Sequence, residues 1–136
     1  MPAVPNILLV EDHEIVAQTV LHFLRVQDNM TVYPVARTAE AALAQLPDLA
    51  VDLVLVDVSL PAMSGIELVA LIAQLYPDVR CLMLSGHDEL SYVKRALEAG
   101  AWGFVSKGNP QTLLDGIRAA LRGEIYVDGD LDLPQP

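Results

Sequence analysis

The chain of 136 residues fits one compact domain with a core of ordinary size. Hydrophobic residues make up 53% of it and charged residues 19%, a balance that excludes a disordered chain. Its 18 acidic and 8 basic residues give a formal charge of -10, which repels nucleic-acid phosphates and argues against direct DNA or RNA binding.

Short apolar runs rich in Val, Leu and Ile recur along the chain and predict strands. They cover residues 6–10, 30–35, 52–56, 79–84 and 102–106. The first, third and fourth runs lack the alternation of a half-exposed sheet, so we expect central strands that are covered on both faces. The intervening segments carry apolar residues at helical spacing, which predicts five helices between and after the strands.

Capping residues mark several of the predicted helix boundaries. Thr38 precedes the second helix, and Asn109 with Pro110 opens the fifth. Gly100 and Gly123 stand just past the fourth and fifth helices, where glycine commonly ends a helix. Residues 1–123 are therefore read as one domain, and residues 124–136 as a C-terminal tail or linker stub.

Strict alternation of strands and helices with short connections predicts an α/β fold. The size favours a flavodoxin-like, doubly wound, five-stranded parallel sheet of order 2-1-3-4-5 with five helices. In such a sheet the carboxyl ends of the strands share one edge, and ligands bind where the strand order reverses, between the first and third strands.

No apolar run approaches the roughly 20 residues of a membrane-spanning helix, and the first residues do not resemble a signal peptide. We therefore expect no membrane contact and a cytoplasmic location.

Charged or hydroxyl-bearing residues follow four of the predicted strands. Glu11 and Asp12 come after the first strand, Asp57 after the third, Ser85 after the fourth and Lys107 after the fifth. Carboxylates so close together repel one another unless a cation lies among them, and Mg²⁺ accepts a few carboxylates together with a phosphate oxygen. Each residue alone has an ordinary reading, as a loop acid, a strand-end serine or a surface lysine. The combination indicates phosphoryl transfer.

Four motifs around these residues resemble those of the response-regulator receiver domain of two-component signalling, over about residues 6–123. They are Ile-Leu-Leu-Val-Glu-Asp-His, Leu-Val-Leu-Val-Asp-Val-Ser-Leu-Pro-Ala-Met-Ser-Gly, Cys-Leu-Met-Leu-Ser-Gly and Gly-Ala-Trp-Gly-Phe-Val-Ser-Lys. The later stretch Arg-Gly-Glu-Ile-Tyr-Val is similar to receivers of the LuxR/NarL type, which precede a helix-turn-helix DNA-binding domain.

The resemblance implies a role for each residue at the strand ends. Asp57 would be the phosphoacceptor, Lys107 and Ser85 would hold the phosphoryl group, and Phe104 would take the place of the switch aromatic. The implied ligands of Mg²⁺ are Glu11, Asp12, Asp57 and the backbone carbonyl of Ser59. The implied partners are a sensor histidine kinase and, with the question left open, a second copy of the chain. We expect no enzymatic activity beyond the domain's own phosphorylation and dephosphorylation.

Some positions depart from the commonest receiver pattern. Gly108 rather than proline follows Lys107, so no cis peptide is expected there. Phe104 lacks the hydroxyl of the more frequent tyrosine, so any switching must rest on ring packing; an ordinary core aromatic is the other reading. Ser59 and His87 would flank the phosphoryl group, although His87 also fits a plain loop residue.

Other classes of protein remain as alternatives. A haloacid-dehalogenase-like phosphatase also uses a strand-end Asp and Mg²⁺, but its motif calls for a second Asp at the position of Ser59. A flavodoxin needs a Ser/Thr-rich phosphate loop where this chain has Glu11 and Asp12. The remaining alternatives are a stand-alone receiver that acts by protein contact and a docking module that has lost phosphorylation.

Overall fold

The computed structural model describes residues 4–86 and 90–128, so His87 and the last residues of the predicted tail lie outside the described part. The strands are β1 (Asn6–Val10), β2 (Thr31–Val32), β3 (Leu53–Asp57), β4 (Arg80–Ser85), β5 (Gly103–Ser106) and β6 (Tyr126–Val127). The helices are α1 (Glu14–Arg25), α2 (Ala39–Gln45), α3 (Gly65–Leu75), α4 (Val93–Ala99) and α5 (Pro110–Leu121). Single 3₁₀ turns at Leu46–Asp48 and Leu90–Tyr92 follow α2 and precede α4.

The strands form one parallel sheet of order β2-β1-β3-β4-β5-β6. The predicted flavodoxin-like fold and its order 2-1-3-4-5 are confirmed, and the order reverses between β1 and β3 as expected. The sixth strand was not predicted. It lies within the segment that the sequence analysis read as a tail, so the sheet continues past residue 123.

Two glycines make room for β6 against the rest of the domain. A Cβ atom on Gly103 would lie 2.4 Å from the carbonyl oxygen of Tyr126, which pairs with it in the sheet. A Cβ on Gly116 in α5 would lie 2.8 Å from the Val105 side chain and 3.4 Å from the Tyr126 ring. The absence of side chains at these two positions lets the last strand pack closely on β5 and α5.

Helices cover both faces of the sheet, and each face has its own core. Along β3, Leu53 and Leu55 point toward the core under α1 and α5, whereas Val54 and Val56 point toward the core under α2, α3 and α4. All four side chains are fully buried. The prediction of central strands without polar alternation is therefore confirmed. Among the helices of the described residues, none is long and apolar enough to cross a membrane.

The second strand is shorter than predicted because proline interrupts it. Pro34 has no N–H to donate, so regular pairing with β1 ends at Val32. The next backbone bonds come singly, from Tyr33 N to the Ile7 oxygen at 3.0 Å and from Ala36 N to the Leu9 oxygen at 2.9 Å.

The predicted caps are present. The Thr38 side chain accepts a hydrogen bond from Ala41 N, and the Asn109 side chain accepts from the backbone N–H groups of Gln111 and Thr112. Gly100 ends α4 with a φ of +117°, in the left-handed region that favours glycine. These local signals explain why the helices begin and end close to the predicted positions.

Candidate functional site

The carboxyl edge of the sheet gathers the polar strand-end residues. Glu11 directly follows β1, Asp57 and Ser85 are the last residues of β3 and β4, and Lys107 directly follows β5. Glu11, Asp57 and Ser85 are almost completely buried, whereas Asp12 is exposed. The site therefore sits where the strand order reverses, with one side open to solvent.

Lys107 reaches across the edge to two buried carboxylates. Its Nζ lies 2.9 Å from Asp57 Oδ1 and 3.1 Å from Glu11 Oε1. Partial burial by itself would lower the pKa of Lys107, but the hydrogen bonds and negative charges of Asp57 and Glu11 outweigh it and raise that pKa. The lysine is thus held in its charged form with its ammonium beside Asp57.

The carboxylates of Glu11, Asp12 and Asp57 form a compact oxygen cluster. One oxygen from each lies within 4.8 Å of the others. Burial raises the pKa of Glu11 to about 7, helped by the hydrogen bond that a protonated Glu11 donates to Asp57 and by the negative charge of Asp57; the His13 N–H and Lys107 oppose this rise. A lysine ammonium alone does not fully compensate this concentration of negative charge.

The donor set of this cluster fits a divalent metal ion. Carboxylate oxygens are hard ligands of the kind that Mg²⁺ prefers, and the exposed side of Asp12 leaves room for the waters that Mg²⁺ retains. The buried Glu11 Oε1 shares the Lys107 ammonium, 3.1 Å away, with Asp57 Oδ1. An additional cation would neutralise that oxygen.

The loop after β3 holds Asp57 in place. Asp57 Oδ1 accepts a hydrogen bond from Ser59 N at 3.1 Å, and Val58 N donates to the Leu84 oxygen on the neighbouring strand. Gly65 opens α3 and donates from its N–H to the Val58 oxygen at 3.2 Å. A Cβ on Gly65 would lie only 2.0 Å from the Asp57 carbonyl oxygen, so the helix start packs directly on the backbone of this residue.

Ser85 is fully buried beside the cluster, and its hydroxyl is already engaged. Ser85 Oγ donates to the Gly86 carbonyl oxygen at 2.5 Å, and the Ser85 carbonyl accepts from Lys107 N at 2.9 Å. To donate to a phosphoryl oxygen, the hydroxyl would have to leave Gly86. Ser59 itself is exposed, and the ligand role of its carbonyl stays a prediction.

Phe104 lies inside the core rather than at its surface. Its ring is fully buried in the cluster under α2, α3 and α4. The switch role that the resemblance implies would therefore start from a ring that is already buried, and it stays a prediction. Trp102, just before β5, is half-buried, and the guanidinium of Arg80 lies 4.8 Å from its ring centre.

Sequence reasoning missed Asp128, which joins Glu11 and Asp57 as a third buried acid at the same edge within the described residues. It follows β6, and its exposed fraction is 1%. The signal was present, because Tyr-Val-Asp repeats the pattern of an apolar strand that ends in an acid, as at Asp57. A two-residue strand is too short to stand out by periodicity.

Comparison with known proteins gives a consistent result. A family model described as the response regulator receiver domain matches residues 7–118. The transcriptional activator protein ExaE of Pseudomonas putida is 38% identical over 127 residues, which are 93% of this chain and 59% of that protein. The response regulator UvrY of Escherichia coli (strain K12) is 35% identical over 127 residues, with 93% and 58% covered. The chain thus spans a little over half the length of these curated relatives.

Solved structures agree with the fold. The crystal structure of a LuxR-family two-component response regulator from Aurantimonas sp. SI85-9A1 has a TM-score of 0.88 and 30% sequence identity. The match covers 95% of this chain and 93% of that one. A CheY-like receiver domain from Methanospirillum hungatei JF-1, with a TM-score of 0.79 and 30% identity, covers 89% of this chain and 96% of its own.

Proposed function

The chain belongs to the response regulator receiver domain family, and on that premise we propose that it is a switch controlled by phosphorylation of Asp57. The observation that carries the proposal is the Lys107 ammonium, 2.9 Å from Asp57 Oδ1 and beside the three-carboxylate cluster. This arrangement supports phosphoryl transfer, because one open sheet edge carries a carboxylate that could act as nucleophile, a fixed positive charge and carboxylate oxygens that could hold a metal ion.

In the proposed reaction Asp57 attacks a phosphohistidine of a sensor histidine kinase. A bond forms between an Asp57 carboxylate oxygen and phosphorus while the phosphorus–nitrogen bond breaks, and its electron pair leaves on the imidazole nitrogen, which takes a proton from solvent. Lys107 would pass from its contact with Asp57 to the phosphoryl oxygens, and Ser85 would exchange its bond to Gly86 for one to the phosphoryl group.

Glu11, Asp12, Asp57 and the Ser59 carbonyl would hold Mg²⁺. When bound, the ion neutralises charge on the transferred phosphoryl group. Glu11 contributes a buried carboxylate that is fixed by the His13 N–H at 3.1 Å, and Asp12 contributes the solvent-facing one.

The phosphorylated domain would act through its surface formed by α4, β5 and α5. Movement of Ser85 and repacking around Phe104 would change this surface and bias partner binding. We propose that the output is transcription, through a DNA-binding domain outside this chain, since the matching relatives include a transcriptional activator. A cytoplasmic location and the absence of other catalysis belong to the same proposal, and dimerisation stays a prediction.

The proposal is tested by incubating the chain with acetyl phosphate and Mg²⁺ and measuring intact mass. We expect one phosphate adduct on the wild type and none on Asp57→Asn, which keeps the shape but not the nucleophilic charge. Lys107→Ala should remain folded and label about 100-fold more slowly, because it loses the charge that stabilises the transferring group. Full labelling of Asp57→Asn would remove Asp57 from the role, and turnover of phosphate esters would favour a phosphatase instead.

A further inference from the structure

Asp128 makes contacts that an exposed loop residue does not make. Its N–H donates to the Phe104 carbonyl at 3.0 Å, which continues the pairing of β6 with β5. Its carboxylate oxygen Oδ2 accepts from Ser106 N at 3.2 Å and from Thr112 Oγ1 at 2.9 Å. A buried carboxylate is stable only when such donors compensate for the loss of water.

The two donors stand on either side of the loop that carries Lys107. Ser106 is the last residue of β5 and directly precedes Lys107, whereas Thr112 lies in the first turn of α5. The Asp128 carboxylate therefore bridges both ends of the short connection formed by residues 107–109. Its negative charge also lies beside the amino-terminal turn of α5, where the helix dipole favours an anion.

The geometry favours the carboxylate as the partner of the Thr112 hydroxyl. That hydroxyl also lies 3.1 Å from the Asn109 carbonyl, but it has one proton to donate. The carboxylate is the closer acceptor, at 2.9 Å, and the charged one, so its bond is the stronger.

The backbone around Lys107 is consequently held from two neighbouring strands. From the side of β4, the Ser85 carbonyl accepts from Lys107 N at 2.9 Å. From the side of β6, Asp128 accepts from the preceding N–H of Ser106. Inside the connection, Gly108 N donates to Ser106 Oγ at 3.2 Å. Removing Asp128 would remove the restraint from the β6 side. It would not touch the loop after β1 that carries Glu11 and Asp12, nor the end of β3 that carries Asp57.

We propose that Asp128 is a positioning residue for phosphoryl transfer, which acts by holding the β5–α5 connection so that Lys107 points at Asp57. This inference rests on the proposed function, because it assigns Asp128 an effect on the phosphorylation of Asp57. In this role Asp128 does not contact the reacting atoms, and it affects the reaction by fixing the position of Lys107.

The test is a double-mutant cycle on the full 136-residue chain. The initial rate of phosphorylation by acetyl phosphate at saturating Mg²⁺ is measured by intact mass for the wild type, Asp128→Ala, Lys107→Ala and the double variant. We expect Asp128→Ala to be about tenfold slower, the usual scale for losing a supporting hydrogen bond behind a site residue. In the Lys107→Ala background the same change should alter the rate by less than about twofold, because residues that act through one another are not additive.

A residue that only stabilises the fold would give a different pattern. It would slow both backgrounds by the same factor, and that result would overturn the positioning role. The Mg²⁺ concentration that gives half the maximal rate should stay unchanged in Asp128→Ala, since the proposed metal ligands are untouched. Asp78→Ala is the matched control, because Asp78 is an exposed acid in the connection before β4, at the opposite edge of the sheet.

Two further variants keep the test decisive if Asp128→Ala does not fold. Thr112→Val removes the hydroxyl donor at nearly constant shape and should slow phosphorylation severalfold, while Thr112→Ser should restore the wild-type rate. Equal rates for Thr112→Val and the wild type would refute the bridge. If the wild type is labelled at Asp57 and Asp128→Ala is labelled at the same rate, the positioning role is refuted and the proposed function stands. If Asp57→Asn is labelled like the wild type, both the positioning role and the proposed function are refuted.

Discussion

Replacing Gly65 with alanine should damage both stability and phosphorylation, although local rules predict the opposite. Gly65 is the first residue of α3, and its φ is not positive. Helix propensity and the entropy of the unfolded chain would each favour alanine there, by up to about 1 kcal/mol. The structure predicts a loss of stability instead, because the new methyl group would clash with the backbone of Asp57.

The size of the effect follows from the distances. The alanine Cβ would lie 2.0 Å from the Asp57 carbonyl oxygen, whereas real Cβ contacts are essentially never below 3.0 Å, so the backbone must move by about 1 Å. The next nearest atoms are the Asp57 carbonyl carbon at 2.9 Å and Val56 Cγ1 at 3.1 Å, so most of the obstacle is main chain. Overpacking costs about 1–3 kcal/mol, and we expect a net loss near the upper end. A 1 Å misplacement of Asp57 should also slow its phosphorylation by up to about 100-fold.

Urea denaturation followed by circular dichroism measures the free energy of unfolding, and intact mass after acetyl phosphate measures the labelling rate. For Gly65→Ala we expect a loss of about 2–3 kcal/mol and a melting temperature lower by roughly 10 °C. Gly108→Ala is the matched control for stability, since the nearest atom to its new Cβ is Ser106 Oγ at 3.8 Å, an ordinary contact. Its stability should be unchanged or slightly higher. A Gly65→Ala protein as stable as the wild type, labelled at the wild-type rate, would refute the steric argument.

Three other predictions concern the metal, the far edge of the sheet and a helix cap. Mg²⁺ at ten times its Kd should raise the free energy of unfolding by about 1.4 kcal/mol in urea titrations; Asp12→Ala should lose most of this shift, and an undiminished shift would remove Asp12 from the metal site. Arg80 donates to the Ala120 and Leu121 carbonyls at the end of α5, at 2.7 and 2.9 Å. Arg80→Ala should therefore lower the free energy of unfolding by about 2 kcal/mol in the same titration without slowing phosphorylation. Arg118→Ala, which removes an exposed arginine of α5, is the control, and an equally small loss for both variants would contradict the prediction. Ser64→Ala, which breaks the capping box of α3, should cost about 1 kcal/mol, whereas Ser64→Thr should retain most of the stability.

The central part of the fold was predictable because its signals are local and repeated. Apolar runs without polar alternation identify strands buried on both faces, and Thr38 and Asn109 are caps whose hydrogen bonds span only two or three residues. The second strand was predicted too long because Pro34 was read as part of an apolar run, although it cannot donate to a ladder.

The candidate site was predictable in its members but not in its contacts. Parallel strands bring their carboxyl ends to one edge, so Glu11, Asp57 and Lys107 could be expected there from topology alone. The engagement of the Ser85 hydroxyl by Gly86 and the burial of the Phe104 ring could not be foreseen, because they depend on side-chain conformation in the folded core.

The order of strands and helices and the chemistry at the strand ends follow from the sequence, since both depend on residue type and on spacing within a few positions. The pairing of β6 with β5 and the bridge from Asp128 to Ser106 and Thr112 are visible in the folded structure alone. Those bonds join residues 22 and 16 positions apart. The two-residue strand leading to Asp128 is too short to have a period, and its place depends on the space left by Gly103 and Gly116. Such contacts arise when distant segments pack together, and no local pattern specifies them.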